Sequence, residues 1–474
     1  MLFNSYEYLI FFPLVSLVYF LLPKVNIRIV WLLLASYFFY MYWNPIFILL
    51  ILVSTVVDYL VGRAIDNTEE GSRKKQFLWV SIVVNIGILF YFKYYNFLRE
   101  NLQSIIDQIG VEFMIPDHSW LLPVGISFYT FQTLSYTIDI YRGQQKAEKN
   151  FFLFALYVSF FPQLVAGPIE RSTNLLPQFK IKHTFDYDRV RWGLSLILLG
   201  LFKKIVIADR FAIYADEIFD HPGEYTGLAA IMGTIFFTFQ IYCDFSGYTD
   251  VAIGSARVLG FKLMDNFKGP YLSKSIKEFW RRWHISLSTW FRDYLYIPLG
   301  GNRAGQNKLY RNLIIVFLVT GLWHGANWTF IVWGMFHGVF LIVERLGWGR
   351  LLAKLPSIVQ VIYAFVVVSI GWVFFRADSL SSAFTILGSF LTVNNNFWNI
   401  NIYQNPVDIV ELQISLFLLL VIIIIHFFEY QRKFMEKILN APVYVRWPVY
   451  ILMIYGIPLL GQYGAYKPFI YFQF

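Results

Sequence analysis

Several stretches of this chain are apolar over close to the roughly 20 residues that a helix needs to cross a lipid bilayer. They constrain the fold strongly, because within lipid only helices and closed barrels satisfy all of their own backbone hydrogen bonds. The stretches are Tyr6 to Leu22, Ile29 to Trp43, Ile46 to Val61, Phe77 to Tyr95, Trp192 to Ala208, Leu228 to Tyr242, Leu313 to Val343, Ile358 to Phe375 and Leu412 to Phe428. Their lengths predict an all-α, polytopic membrane protein.

The charged residues are too few to coat a soluble globule. Asp, Glu, Lys and Arg make up 15% of the 474 residues, against about a quarter in a typical soluble domain. Lipid therefore has to cover much of the surface. The single cysteine, Cys243, excludes an intrachain disulfide and a zinc site made of cysteines.

Basic residues near the apolar stretches indicate how the chain crosses the bilayer. No Lys or Arg precedes the first stretch and no small-residue cleavage site follows it, so we expect a retained helix and not a signal peptide. Lys24 and Arg28 follow it closely and favour an extracytoplasmic N-terminus. By the same rule, the loop of residues 62–76 is predicted to be cytoplasmic and the Asn-rich loop of residues 392–408 extracytoplasmic.

Most of the net charge of +9 lies between Arg257 and Arg311. Basic residues beside membrane spans ordinarily mark the cytoplasmic side, which explains the cluster without nucleic acid as a partner. The same surface could also dock an anionic cytosolic donor, such as a phosphate-bearing acyl carrier. Both interpretations can hold together.

The simplest organisation is one membrane domain over residues 1–474, without a flexible linker or a clear repeat. Its middle part, residues 243–312, interleaves apolar with charged residues. Between Ser275 and Tyr294 the apolar side chains recur at helical spacing, which predicts an amphipathic helix. Its apolar face comprises Phe279, Trp283, Leu287 and Trp290. Such an element at membrane depth is expected to line a polar cavity.

His324 is the candidate catalytic residue, in a stretch predicted to form one helix over residues 313–343. An ionisable side chain at that depth is costly and is a functional candidate by default. Imidazole can also take and return a proton near neutral pH. Gly321 and Gly325 would allow close backbone approach, and Trp323 and Asn327 could support the site. The alternative is a buried histidine that bonds a neighbouring helix.

The other histidines differ in what they can contribute. His284, on the apolar side of the amphipathic helix, is the second candidate, or else packs among the tryptophans there. His337 lies about 140° around the predicted helix from His324 and about 20 Å along it. On a straight helix the two cannot share a site, so we assign His337 a structural role. Solvated roles are expected for His118, His183, His221 and His426.

Asp244 and Asp250 follow a strongly apolar run. Six residues apart, they point to opposite sides of a helix and do not form a simple carboxylate pair. They could orient polar partners in a cavity wall, which we favour, or relay protons as in a transporter. The sequence contains no serine-hydrolase elbow, zincin helix or phosphate-binding loop, which favours histidine chemistry inside a membrane cavity.

Six short motifs together resemble the membrane-bound O-acyltransferase family, in its bacterial AlgI-type branch, whose members acetylate alginate and other polysaccharides. The motifs are Leu121 to Gln132, Phe161 to Ile169, Asp244 to Asp250, Phe279 to Ser286, Gly321 to Ala326 and Phe469 to Phe474. Each is weak evidence alone. Together they occur in order and cover essentially the whole chain.

The resemblance implies a ring of tilted transmembrane helices around a funnel, with the family's histidine, here His324, at its narrow point and a second family histidine at His284. It implies an O-acyltransferase of the bacterial inner membrane with no bound cofactor or metal. Such an enzyme takes an acyl group from a cytosolic thioester, usually acetyl-coenzyme A in this branch. It passes the group toward hydroxyls of an extracytoplasmic polysaccharide, commonly with an extracytoplasmic partner protein.

The roles that this resemblance suggests leave alternatives open. His324 would act as general base or as a transient acyl carrier, His284 would position or polarise one reactant, and Arg281 and Arg282 could meet the phosphates of the donor. The acceptor could be alginate, another exopolysaccharide, cellulose, peptidoglycan or a teichoic acid.

Two other classes of protein also fit the sequence. One is a transporter or flippase for a glycan intermediate with Asp244 and Asp250 as relay residues, although the paired halves typical of transporters are not evident. The other is a scaffold for an envelope assembly complex, in which His324 would be replaceable.

Overall fold

The computed structural model describes residues 1–118, 120–165, 167–303, 305–394, 397–400, 402, 406–430, 434–462 and 469–470. This part of the chain is helical and contains no strand, which confirms the all-α prediction. Part of the loop expected at residues 392–408, Ala166 of the second motif and residues 471–474 of the last motif lie outside the described residues. The chain divides into two compact units, Met1–Leu194 with Ala252–Met264, and Ser195–Val251 with Asp265–Phe474.

Within the described residues, the first unit contains, besides the end of a helix of the second unit, nine complete α-helices and the start of a tenth. They are α1 (Tyr6–Leu21), α2 (Val25–Met41), α3 (Ile48–Asn67), α4 (Gly71–Leu89), α5 (Tyr95–Gln108), α6 (Ile126–Tyr141), α7 (Phe151–Ser159), α8 (Phe161–Leu164), α9 (Ser172–Phe179) and α10 (Tyr187–Leu201). In the core of this unit α3 packs against α4 and α6. A Cβ at Gly62 of α3 would lie 2.8 Å from the ring of Tyr136, so the absent side chain lets α3 approach α6 closely.

The second unit holds the remaining helices. They are α11 (Asp209–Asp220), α12 (Leu228–Leu259, which ends in the first unit), α13 (Ile276–Arg282), α14 (Ile285–Phe291), α15 (Gln306–His324), α16 (Trp328–Val343), α17 (Gly349–Leu352), α18 (Ser357–Arg376), α19 (Leu380–Ser389), α20 (Pro406–Tyr430), α21 (Phe434–Asn440) and α22 (Val443–Leu460). The most extensive contact between two described helices of this unit joins α15 to α16.

Seven helical segments of the described chain are long and apolar enough to cross a bilayer. They are Pro45–Asn67, Gly71–Gln108, Leu228–Leu259, Trp328–Leu352, Ser357–Arg376, Ile409–Tyr430 and Val443–Leu460. The prediction of a multi-pass membrane protein is therefore confirmed. Three expected stretches have no counterpart among these segments. Residues 6–22 and 29–43 form the shorter apolar helices Tyr6–Leu21 and Val25–Met41, and residues 192–208 run into a π-helical segment, Phe202–Ala208, that carries two buried lysines.

Candidate active site

The stretch around the candidate catalytic histidine is a helical hairpin, so the expected single helix over residues 313–343 is wrong. α15 ends at His324, Gly325 is extended (φ −158°, ψ 150°) and α16 starts after Asn327. The side-chain oxygen of Asn327 caps α16 by accepting a hydrogen bond from the backbone N–H of Thr329 at 3.1 Å. Both arms are apolar, which is why the hydrophobic pattern showed no break between them.

Two glycines let the arms of this hairpin cross closely. A Cβ at Gly321 would lie 2.2 Å from the carbonyl oxygen of Phe330, and one at Gly334 would lie 2.2 Å from that of Phe317. Because the atoms opposite are backbone, a side chain at either position would push the helices apart. The close approach expected at Gly321 is therefore confirmed.

His324 is enclosed by aromatic rings and is only 3% exposed. The ring centroids of Trp323, Trp333 and Phe375 lie 4.9, 5.0 and 5.3 Å from that of its imidazole, each steeply inclined to it. Trp333 comes from α16 and Phe375 from α18. The imidazole is thus fixed in a largely desolvated pocket, where polar interactions with a reactant are stronger than in water.

His284 lies at a break in the predicted amphipathic helix, so the single helix expected over residues 275–294 is also wrong. α13 ends at Arg282 and α14 starts at Ile285, and His284 between them has φ 41° and ψ 56°. Within the described part of the chain it is the only non-glycine residue with positive φ. This conformation costs a residue with a side chain about 1–2 kcal/mol, and strain of this kind clusters at functional sites.

Asn266 holds the strained turn in place. Its backbone carbonyl accepts a hydrogen bond from the N–H of Ile285 at 2.9 Å, and its side-chain oxygen accepts one from the hydroxyl of Ser286 at 2.7 Å. A regular helix through His284 would break these bonds. They compensate for the unfavourable backbone conformation.

The two candidate histidines share one site. The ring centroids of His284 and His324 lie 6.4 Å apart, and Phe245 of α12 packs edge-on against His284 at 4.7 Å. Burial lowers the pKa of His284 to about 3. Its imidazole is therefore neutral at physiological pH, with one nitrogen able to donate a hydrogen bond and the other able to accept one.

The assumption that separated His337 from this site is wrong, because the two residues lie on different arms of the hairpin. The indole of Trp333 lies 5.0 Å from His324 and 5.2 Å from His337 by ring centroids. His337 itself is fully buried. One aromatic ring thus connects the two histidines, and the structural role of His337 stays a prediction.

Asp244 and Asp250 form ion pairs with two adjacent lysines that were not predicted as site residues. Lys203 and Lys204 lie in the π-helical segment at the end of α10, with side chains only 1% and 4% exposed. The ion pairs are Lys203–Asp250 at 2.9 Å, Lys203–Glu429, Lys204–Asp209 at 2.8 Å and Lys204–Asp244 at 2.6 Å. Two lysines at the end of an apolar run are costly in a membrane, and that signal could have found them.

Asp244 also holds the described part of the closing motif. Its Oδ2 accepts a hydrogen bond from the backbone N–H of Ile470 at 2.7 Å. The ring of Phe469 lies 4.5 Å from Tyr248 and 5.7 Å from Phe245 by centroids. Since Phe245 also contacts His284, residues 469–470 lie beside the candidate site. The orienting role that we favoured for Asp244 stays a prediction.

The two arginines expected to meet the donor have different surroundings. Arg281 is exposed. Arg282 donates hydrogen bonds to Glu278 at 2.8 Å and to the carbonyl of Lys268 at 2.9 Å, and its guanidinium lies 3.9 Å from the ring centre of Tyr430. Arg282 is therefore engaged within the protein, and binding of the donor by Arg281 and Arg282 stays a prediction.

His426 was expected to be solvated, and this prediction is wrong. It is 1% exposed, and its Nε2 accepts a hydrogen bond from the backbone N–H of Tyr271 at 2.8 Å. His221 is exposed as expected. Within the described chain, no group of three or more His, Cys, Asp or Glu side chains is arranged to hold a metal ion. The chemistry that the site offers is that of two buried imidazoles.

Comparison with known proteins gives matches over most of the chain. Residues 73–376, which include both histidines, match the membrane-bound O-acyltransferase family. A probable alginate O-acetylase AlgI of Azotobacter vinelandii is 42% identical over 93% of this chain and 87% of the relative. One of Pseudomonas putida is 39% identical over the full length of both. A peptidoglycan O-acetyltransferase of Helicobacter pylori is 39% identical over 79% of this chain and 75% of the relative.

Proposed function

Because the chain belongs to the membrane-bound O-acyltransferase family and is a multi-pass bacterial inner-membrane acyltransferase, we propose that it O-acetylates an extracytoplasmic polysaccharide. The proposed donor is cytosolic acetyl-coenzyme A, and the acetyl group reaches the acceptor directly or through an extracytoplasmic partner protein. Alginate or a related exopolysaccharide is the favoured acceptor, since one relative named as a probable alginate O-acetylase matches this chain along its whole length. Peptidoglycan is the alternative.

The observation that carries this proposal is the pair of buried imidazoles, 6.4 Å apart by ring centroids. In the proposed reaction His324 takes the proton of an acceptor hydroxyl while that oxygen attacks the thioester carbonyl. The new C–O bond forms, the C–S bond breaks, and the proton passes from His324 to the leaving thiolate. Neutral His284 donates a hydrogen bond to the carbonyl oxygen as negative charge develops there.

An acyl-histidine at His324 is a second chemistry that the same geometry permits. The imidazole would attack the thioester carbonyl first, forming a C–N bond as the C–S bond breaks and the thiol leaves, and the acceptor hydroxyl would then take the acetyl group and return the free imidazole. With a donor whose acetyl group is radiolabelled, this route leaves labelled acetyl on the protein when the acceptor is withheld. The general-base route does not.

For the donor, the exposed guanidinium of Arg281 is the proposed phosphate contact. Arg281→Gln is then expected to raise KM for acetyl-coenzyme A in membrane vesicles while kcat changes little. Arg350→Gln, which removes an exposed arginine outside the basic stretch, is the matched control. An equal change in both variants would argue against donor binding by Arg281.

The experiment that tests the function measures ester-linked acetate released from the envelope polysaccharide of cells that carry wild type, His324→Ala or His284→Ala. The amount of each protein in the membrane is determined in parallel. His221→Ala, which removes an exposed histidine, serves as control. We expect acetate to disappear in the two site variants alone. Unchanged acetate in His324→Ala at normal protein level would favour the scaffold or transporter interpretation.

A further inference from the structure

A carboxyl group without a basic partner lies inside the first unit. Asp58 of α3 is 0% exposed, and both α3 and the neighbouring α4 are apolar enough to span the membrane. Its oxygens accept hydrogen bonds from the hydroxyl of Ser81 at 2.5 Å and from the amide of Asn85 at 2.8 Å. In the described part of the chain no Lys, Arg or His forms an ion pair with it.

Asp58 is surrounded by a shell of neutral oxygen-bearing side chains from α3, α4 and α6, each at most 1% exposed: Ser54, Thr55, Ser81, Asn85, Thr133 and Thr137. The hydroxyl of Ser54 bonds the amide oxygen of Asn85 at 2.5 Å, and the hydroxyls of Ser81 and Thr137 lie 3.1 Å apart. Thr55 Oγ1 has no hydrogen-bond partner among the described residues. The opposite face of α3 exposes apolar side chains, so the polar stripe faces inward.

No positively charged side chain in the described ranges pairs with Asp58, and its neighbours on the adjoining helices are uncharged or acidic over most of their length. α4 has no titratable residue between Lys75 and Tyr91. On α6, the phenol of Tyr136 interacts electrostatically with Asp58, with Glu148 and with the phenol of Tyr59, and Asp139 is a second buried carboxyl group. Both phenols have other hydrogen-bond partners. The hydroxyl of Tyr59 donates to the backbone carbonyl of Lys149, and the hydroxyl oxygen of Tyr136 accepts from the backbone N–H of Glu148.

An unpaired carboxylate in such surroundings is too costly to persist, because its desolvation penalty amounts to several kcal/mol. Carboxylate, hydroxyl and amide oxygens are the ligands of small hard cations. A proton fits the same network. Protonated Asp58 can donate to Ser81, Ser81 to Thr137, and Thr137 to the carbonyl of Leu134 at 3.1 Å.

We propose that Asp58 and the oxygens around it form an intramembrane binding site for a small monovalent cation, H⁺ or Na⁺. The bound cation neutralises the carboxylate and so allows α3, α4 and α6 to pack around it. The site belongs to the first unit and is separate in composition from the histidine site. Its existence does not depend on the proposed acetyltransferase reaction.

The first test is covalent labelling of the full-length protein in membranes with dicyclohexylcarbodiimide, which reacts with protonated carboxyl groups in apolar surroundings. Peptide mass spectrometry locates the adduct. We expect an adduct on Asp58 that decreases as the pH rises and is absent in Asp58→Asn. Protection by NaCl and not by choline chloride identifies Na⁺ as a ligand, and equal labelling in both salts identifies the proton alone.

Asp66→Asn is the matched control for this experiment. Asp66 is the other acid of α3, but it already has a cationic partner, Lys146, at 3.4 Å. The variant should leave the labelling of Asp58 and its salt dependence unchanged.

A second measurement is needed if dicyclohexylcarbodiimide cannot reach Asp58. Thermal unfolding of detergent-solubilised wild type and Asp58→Asn is followed over a pH series and a Na⁺ series at constant ionic strength. The wild-type melting temperature should shift with the occupying cation, and the shift should be lost in Asp58→Asn. The proposal is overturned if no adduct forms and both proteins respond identically to pH and Na⁺.

Discussion

The imidazoles of His284 and His324, 6.4 Å apart by ring centroids, come together because each residue lies where a helix is interrupted. His324 ends α15 immediately before the extended Gly325, and His284 occupies the turn between α13 and α14. Each break is held by hydrogen bonds of its own, the first by the Asn327 cap of α16 and the second by Asn266. The site geometry therefore depends on backbone features that mutation can test separately from the imidazoles.

The left-handed backbone of His284 predicts an order of stability among variants that lack the imidazole. Glycine adopts this conformation without the steric cost of a side chain. The free energy of unfolding should therefore be about 1 kcal/mol higher for His284→Gly than for His284→Ala. Both variants should lose acetyl transfer. Chemical unfolding in detergent measures the difference. Equal or greater stability of the alanine variant would contradict the assigned backbone strain.

The glycines at the hairpin crossing should not tolerate a methyl group. Gly321→Ala and Gly334→Ala place Cβ against backbone carbonyls, and we expect each to lower the free energy of unfolding by about 1–3 kcal/mol and to abolish acetylation. Gly338→Ala, on the same helix as Gly334, brings Cβ to 3.2 Å from the flexible end of Ile314 and to 3.4 Å or more from other atoms, and should be nearly neutral. A similar loss in all three variants would indicate a helix-wide effect.

The buried lysine pair should matter for stability more than any surface ion pair. Lys204→Met leaves Asp209 and Asp244 buried without their cation, at a cost of about 3–5 kcal/mol in unfolding free energy, and adding Asp209→Asn should recover part of it. Lys268→Met, which removes a partner of exposed Asp265 at 3.0 Å, should cost about 0–1 kcal/mol. If Lys204→Met and Lys268→Met lowered the free energy of unfolding by similar amounts, the buried ion pairs of Lys204 would not stabilise the protein more than a surface pair does.

The stability of the protein should depend on pH through Glu170 of the first unit. Burial raises the pKa of Glu170 from its ordinary 4.5 to about 7. The native state therefore holds this proton more tightly than the unfolded state, and the resulting stability is present below pH 4.5 and lost as the pH rises through 7. The loss amounts to roughly 3 kcal/mol.

Glu170→Gln mimics the protonated form and tests this pH dependence. Its stability relative to wild type should increase across that pH window, as measured by unfolding at a series of pH values. A difference between the two proteins that does not change with pH would rule out titration of Glu170.

The membrane class and the two candidate histidines could be predicted from the sequence for physical reasons. Long apolar runs are compatible with few structures other than membrane-spanning helices. An ionisable residue within such a run, as at His324, is easily recognised. His284 was found through its motif. The breaks next to both residues were missed because the flanking helices are apolar on both sides, so periodicity continues across them. Gly325 followed by the capping residue Asn327 was the local signal that α15 ends there.

The ion pairs of Lys203 and Lys204 could not be derived from local pattern. Their partners lie on α11, α12 and α20, and which acid meets which lysine depends on how those helices pack. The π-helical segment that carries both lysines also lacks a sequence signature of its own. The sequence could show that two cations need partners, but not which ones.

The most direct test of the central claim uses the purified full-length protein in proteoliposomes with radiolabelled acetyl-coenzyme A supplied on the side of Arg281. Acetyl transfer to the polysaccharide, or to the extracytoplasmic partner, is compared for wild type, His324→Ala and His221→Ala. We predict transfer by wild type and His221→Ala, and a loss to background in His324→Ala while its folding is unchanged. Transfer at the wild-type rate by folded His324→Ala would contradict the assignment of His324 as the group that moves the proton.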